Sequence, residues 1–498
     1  MIVLLITLGS LLWNSLFLLD SPLSMGDTNT YITLAEKLSN NAVSLKELPY
    51  EIVPGYPLFI HYISGGDYGQ LGLWQVVIVQ LLMSVITDIC IFFIIYRLTG
   101  RHILGIAGLL ISFTAVDRYL MFNFIMTETV FICFLLISSA CYAEAIRKHS
   151  GFIFIVSIIL FSITGLLRPV AAIFWVIAAI IWAIYELKIV IEQKKLNKKV
   201  KYKRQVVILI AVISIGGVVS QLGVKKEIST FDGMTSLLWI QTIDQKDRVF
   251  LKLFKKSPYF KDFHKSYKSW LSRKEMPKEM IKNGFWNIEK PWRHLREKKN
   301  AWTWYRIPKY VLMSEKGYSY AEVANWRGQV GLYLISREPL HFMNITLVKG
   351  VADILSKPYP NHRWDPIWSK ANSMAESDFA LSKIRGEWIL LMTKNYENIL
   401  KDFYLTVGPY SPIFFFIGII LACYGYRNPA FYLIACMCLV QLLIPAIFAG
   451  SLTRYRFPIV VYYGVIGIGI YLALEKLMIK YKSGKNLSSD VKANSQKL

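Results

Sequence analysis

Charge is scarce in this chain. Asp, Glu, Lys and Arg make up 18% of its 498 residues, where a soluble domain carries about a quarter. Acids are the scarcer sign, with 33 Asp and Glu against 57 Lys and Arg. Cysteine is also sparse. Cys90, Cys133, Cys141, Cys423, Cys436 and Cys438 lie in or beside apolar blocks, and the long polar region holds none. That excludes a disulfide framework and any site built on paired cysteines. The polar region also lacks His-Glu-x-x-His and Asp-x-Asp, and His264, His294, His341 and His362 are dispersed. No bound metal or other cofactor is required on this reading; a divalent ion stays open. The basic excess comes without zinc-knuckle or RNA-recognition spacing, so no nucleic-acid partner is expected.

What the chain does have is long apolar runs. Blocks at about 1–19, 72–96, 103–117, 124–143, 151–167, 170–186, 206–223, 410–425, 430–449 and 457–474 approach the length that crosses roughly 30 Å of hydrocarbon. The fold class is therefore an all-α polytopic membrane protein with about ten spans. The first block lacks a basic leader and a small-residue cleavage site, and reads as a retained span. Lys and Arg set the orientation. Arg97, Arg101, Arg147, Lys148, the run Lys194–Arg204, Arg427 and the lysines after Lys476 fall on one side when the spans alternate. That side is read as cytoplasmic, in a plasma (inner) membrane.

The domains follow from the same pattern. Residues 1–223 form an N-terminal membrane module, 224–409 a mixed or α-rich domain outside the cytoplasm, 410–475 a C-terminal membrane module, and 476–498 a basic tail. The outer domain mixes aromatic and basic residues, among them Trp286, Trp292, Arg293, Trp302 and Trp304. Such residues suit a sugar-binding surface, and equally a domain anchored at membrane headgroups. Val330–Leu355 has helical spacing with a break at Arg337-Glu338-Pro339. The tail beyond Lys482 is polar and reads as disordered.

Chemistry concentrates in the outward segments. The first loop places Asp27, Tyr31, Ala35 and Leu38 on one face of a short helix, followed by Val53-Pro54-Gly55-Tyr56-Pro57-Leu58. Asp27 can be a helix N-cap, a catalytic base, or both. Glu128 stands near the outer end of the fourth block, where an acid is costly unless paired or wet; a nearby Arg is its expected structural partner. Arg168, Arg454 and Arg456 stand at the outer boundary, which topology statistics disfavour. Their forked donors suit a phosphate, and their stems also suit snorkelling to headgroups.

The order Asp27-x3-Tyr31-x3-Ala35, Pro54-Gly55-Tyr56-Pro57-Leu58, Thr127-Glu128, Leu167-Arg168-Pro169, Arg337-Glu338-Pro339-Leu340 and Arg454-Tyr455-Arg456-Phe457-Pro458 resembles the GT-C superfamily of membrane glycosyltransferases. The likeness is to the branch of family 39 and the dolichyl-phosphate-mannose protein mannosyltransferases. The resemblance implies transfer of a sugar from a polyprenyl-phosphate-linked donor to a glycan, lipid or protein acceptor on the outer face, by an inverting displacement. It implies Asp27 as base, Tyr31, Tyr56, Arg168, Arg454 and Arg456 as substrate-binding residues, and Glu128 in support. Many relatives have Asp-Glu where this chain has Asp27-Thr28, which puts a two-carboxylate or metal-assisted arrangement in doubt. The rivals are a transporter or flippase of lipid-linked glycan, a glycan polymerase or ligase of similar topology, and a structural protein binding anionic polymer. A transporter would carry ionisable residues near the midplane, and Asp88 is the main such residue here.

Overall fold

The structure is a computed structural model that describes residues 2–24, 28–40, 54–168, 171, 173–195, 248–272, 311–313, 315–356, 361–446 and 457–495. Among the described residues every regular element is helical, and Leu23 and Phe124 form one isolated parallel bridge.

The membrane unit begins with α1 (Ile2–Ser15), α2 (Thr28–Ser39), α3 (Gly55–Ser64), α4 (Gln70–Thr99), α5 (His102–Phe113), α6 (Val116–Leu120), α7 (Thr127–Lys148), α8 (Gly151–Leu167) and α9 (Phe174–Lys195). Gln70–Thr99, Thr127–Lys148, Phe174–Glu192 and Gly408–Tyr426 are each long and apolar enough to cross a bilayer; Ile2–Ser15, Gly151–Leu167 and Pro429–Ile444 are shorter apolar helices. The chain is an integral multi-pass membrane protein. The block at 206–223 lies outside the described residues.

Local sequence explains the boundaries. The apolar run of α4 ends at Gly100, whose φ of 70° suits a residue without Cβ. The block at 103–117 does not run as one helix. It stops at Phe113, bends by 73° and resumes over Val116–Asn123. Asp117 and Arg118 begin that second arm, and both are buried. Two charged residues could not continue into hydrocarbon; the bend carries them into the protein interior instead. Segment 118–123, which joins two apolar blocks, is thus buried throughout.

α7 lies at the centre of the unit, with most of its side chains buried. It packs antiparallel on α8 through the turn at His149-Ser150, where His149 is left-handed and the Ser150 hydroxyl caps α8. At the opposite end of α7 from Thr127, Glu144 is bound by Arg97 at 2.8 Å, Arg147 at 2.7 Å and Lys148 at 3.0 Å. Helix Tyr463–Ser495 crosses α5 closely. A Cβ on Gly464 would collide with the Gly108 carbonyl, so small residues set the approach. That helix also runs on through the tail read as disordered. The tail has no proline to stop it, and it extends a helix already formed, which avoids the cost of nucleation.

Contacts divide the chain into a unit of residues 1–223, 356–441 and 453–498 and a unit of 224–355 with 442–452. Segment 356–409, drawn with the outer domain from sequence, belongs to the first unit. Trp364, Ile367, Ala371, Met374 and Ile389 join its main core, and burial of those side chains is what holds the segment there. In the second unit, Arg248–Lys256 and Pro258–Ser272 share a core with Tyr320–Arg337 built on Phe250, Phe254, Phe263, Val323, Trp326 and Val330. Ser319 and Glu322 form a capping box at the start of Tyr320–Arg337. Glu338 breaks that helix and Pro339 starts the next, at the expected place.

Candidate functional site

Antiparallel packing brings the first turn of α7 beside the last residue of α8. Glu128 is in that first turn, where a carboxylate complements the helix dipole. Arg168 closes α8, its N–H donating to the Thr164 carbonyl at 3.0 Å. The two side chains form an ion pair with exposures of 13% for Arg168 and 2% for Glu128. Arg168 Nε also reaches Thr127 Oγ1 at 3.4 Å, and its guanidinium lies 5.2 Å from the Phe131 ring centroid. Glu128 alone would be an uncompensated buried charge; Arg168 supplies the compensation.

α3 is fitted against the same helix end. A Cβ on Gly55 would collide with the Leu166 carbonyl, so glycine permits the contact. Tyr56 follows, fully buried, and its hydroxyl meets Gln80 Oε1 at 3.0 Å. Burial, and next the nearby charge of Glu128, push the Tyr56 phenol well above its ordinary pKa, so it remains a neutral hydrogen-bond donor. Tyr31 of α2 sits edge-on to Tyr56 with centroids 5.1 Å apart.

Gln80 also donates to the carbonyls of Phe122 and Phe124 at 2.8 and 2.9 Å. Asn123 accepts from Leu19 N at 2.9 Å and donates to the Phe17 carbonyl at 2.9 Å. Leu23 N donates to the Asn123 carbonyl, Ile125 N to the Leu23 carbonyl, and the Thr28 hydroxyl to the Ile125 carbonyl. Phe17, Leu19, Leu23 and Thr28 are thereby laced to the strap 122–125, which leads directly into α7 and Glu128.

The structure gathers Tyr31, Tyr56, Glu128 and Arg168 into one neighbourhood. Asp27, Arg454 and Arg456 lie outside the described residues. The Tyr56 hydroxyl is engaged by Gln80, which makes it part of the wall of the site. Gln80, Asn123, Asp88 and Arg118 do not stand out as a network in the sequence. The available signal is a polar side chain inside or beside an apolar run. Among the described residues no group of three His, Cys, Asp or Glu side chains could hold a metal ion.

The arrangement is a partly exposed guanidinium held by a buried carboxylate where α7 begins and α8 ends. It can offer cationic donors to an anion at the end of two apolar helices. Comparison with known proteins gives a matching class over part of the chain. The family model described as dolichyl-phosphate-mannose-protein mannosyltransferase matches residues 66–216. This stretch contains Gln80, Glu128 and Arg168, and the match agrees with the resemblance carried by the motifs. Among solved structures, the crystal structure of ArnT from Cupriavidus metallidurans bound to undecaprenyl phosphate is matched at 11% identity, over 95% of this chain and 77% of that one, with a TM-score of 0.32. No curated protein matches the chain.

Proposed function

We propose that the chain is a membrane glycosyltransferase that takes its sugar from a polyprenyl-phosphate-linked donor and passes it to a glycan, lipid or protein acceptor on the outer face of the plasma (inner) membrane. The observation that carries this reading is the Arg168–Glu128 pair at the common end of α7 and α8, within the stretch that matches a lipid-phosphate-sugar transferase family. A polyprenyl tail enters from the bilayer, while its phosphate needs cations at the boundary. Arg168 stands there, and Arg454 and Arg456 are the sequence candidates to join it.

The reaction is a single displacement. The acceptor oxygen attacks the anomeric carbon, the bond from that carbon to the phosphate oxygen breaks, and polyprenyl phosphate leaves with the electron pair. Asp27 takes the proton of the acceptor hydroxyl, and the configuration inverts. Donation from Arg168 offsets charge gathering on the departing phosphate. No step is assigned to a metal.

The transporter reading loses its main support at Asp88. That carboxylate is buried and occupied by Arg118, Asn14 and Tyr119. Such a closed set of partners suits a structural site better than an ion path. Purified chain in lipid nanodiscs, offered polyprenyl-phosphate monosaccharides and a lipid-linked oligosaccharide, tests the proposal. Release of polyprenyl phosphate from a monosaccharide donor supports it. Turnover of the oligosaccharide alone would indicate a ligase or polymerase. Absence of all turnover, with an unchanged glycan profile in cells lacking the chain, would overturn the transferase reading.

A further inference from the structure

α4, α6 and α7 meet around a second polar cluster. Asp88 on α4 accepts from Asn14 Nδ2 at 3.0 Å and from the Tyr119 hydroxyl at 3.1 Å, and it is ion-paired with Arg118. The Arg118 guanidinium lies 4.2 Å from the Tyr119 ring centroid. Arg118 is only 4% exposed. These contacts use one terminal nitrogen, Nη2. Among the described residues, Nε and Nη1 are buried without a protein partner, and so is Thr129 Oγ1 across on α7. Arg118 and Thr129 line one cavity of about 10 Å³ with Ser84, Thr87 and Ile132.

A cavity of roughly 10–15 Å³ admits one water, provided two to four polar groups receive it. We propose that this cavity is a bound-water site. One water accepts from the free Arg118 N–H groups and bonds the Thr129 hydroxyl, joining α6 to the helix that carries Glu128. Two observations select water as the ligand. Asp88 already cancels the guanidinium charge, so the site has no excess positive charge for an anion. The volume suits a single small neutral molecule. Leaving two guanidinium nitrogens bare in the interior would instead cost free energy. The inference does not depend on the proposed transferase activity.

A high-resolution map of the full chain in nanodiscs should show density within hydrogen-bond reach of Arg118 Nε or Nη1 and Thr129 Oγ1. Three variants give an independent reading by thermal unfolding. Thr129→Ser keeps the hydroxyl and should melt close to the parent. Thr129→Val keeps the volume but removes the bond, and should melt lower by ~1–3 °C. Thr129→Leu fills the space and separates wet from dry. Filling a dry apolar void raises stability, whereas expelling this water strands Arg118 and lowers it. The proposal is overturned if the map resolves other buried waters but none here, if Thr129→Val melts with Thr129→Ser, or if Thr129→Leu melts above the parent. Should Thr129→Leu fail to fold, the Ser and Val pair with the map still decides.

Discussion

Arg168 has two jobs on the present reading, and one set of variants separates them. It compensates buried Glu128, and it is proposed to hold the donor phosphate. Arg168→Ala removes both functions together. Breaking a buried pair from one side typically costs about 3–5 kcal/mol, because the other charge is left alone. Arg168 is 13% exposed and Glu128 2% exposed, so water relieves part of this and the lower end, about 3 kcal/mol, is expected. A phosphate contact is worth roughly 1.5–3 kcal/mol. At about 1.4 kcal/mol per factor of ten, that is roughly 10- to 150-fold in donor KM or kcat/KM. The discriminating protein is the double variant Arg168→Met/Glu128→Gln. It removes both charges and keeps most of the volume, so its stability should return to within about 1 kcal/mol of the parent. Its donor kinetics should stay impaired, because no guanidinium is restored. The assay is thermal unfolding in nanodiscs beside initial rates against donor concentration. A stable double variant with parental donor kinetics would refute Arg168 as a phosphate ligand and leave it a purely structural partner of Glu128.

Other outcomes follow from the same geometry. Asp27→Asn keeps a good N-cap but cannot take a proton; turnover should fall about 10²- to 10⁴-fold with donor binding retained, and near-normal turnover in purified protein would reject Asp27 as base. Asn123→Ala strips the bonds to Leu19 and Phe17 and should destabilise by about 1–3 kcal/mol, read as faster proteolysis within residues 17–24; unchanged cleavage would show the lacing to be idle. Gly55→Leu must push α3 away from the Leu166 carbonyl, so activity should drop while the bulk helix signal in circular dichroism is kept, and full activity would show that α3 need not seat closely on α8. A cysteine introduced at Trp286 should react with an impermeant thiol reagent in intact cells, and labelling only after lysis would reverse the proposed orientation.

Much of this protein is legible in its amino-acid order alone. Apolar runs long enough for hydrocarbon declare membrane helices, because an isolated segment in lipid must satisfy its own backbone. Local chemistry suffices for the break at Glu338-Pro339, since a proline acts within a few residues of itself. The motif order points to the same family that the match over residues 66–216 supports.

Only tertiary packing decided which polar groups meet. Glu128 and Arg168 are forty residues apart, and their pairing depends on α7 and α8 lying antiparallel. Gln80 looks like a blemish in an apolar run, yet it holds Tyr56 and two strap carbonyls at once. Asp88 reads as a lone midplane acid until the 73° bend after Phe113 delivers Arg118 to it. The physical reason is common to these cases. Hydrophobicity acts through composition and length, which are properties of a stretch of chain. A buried hydrogen bond or ion pair depends on two partners at about 3 Å, and their separation is set by the path of every helix between them.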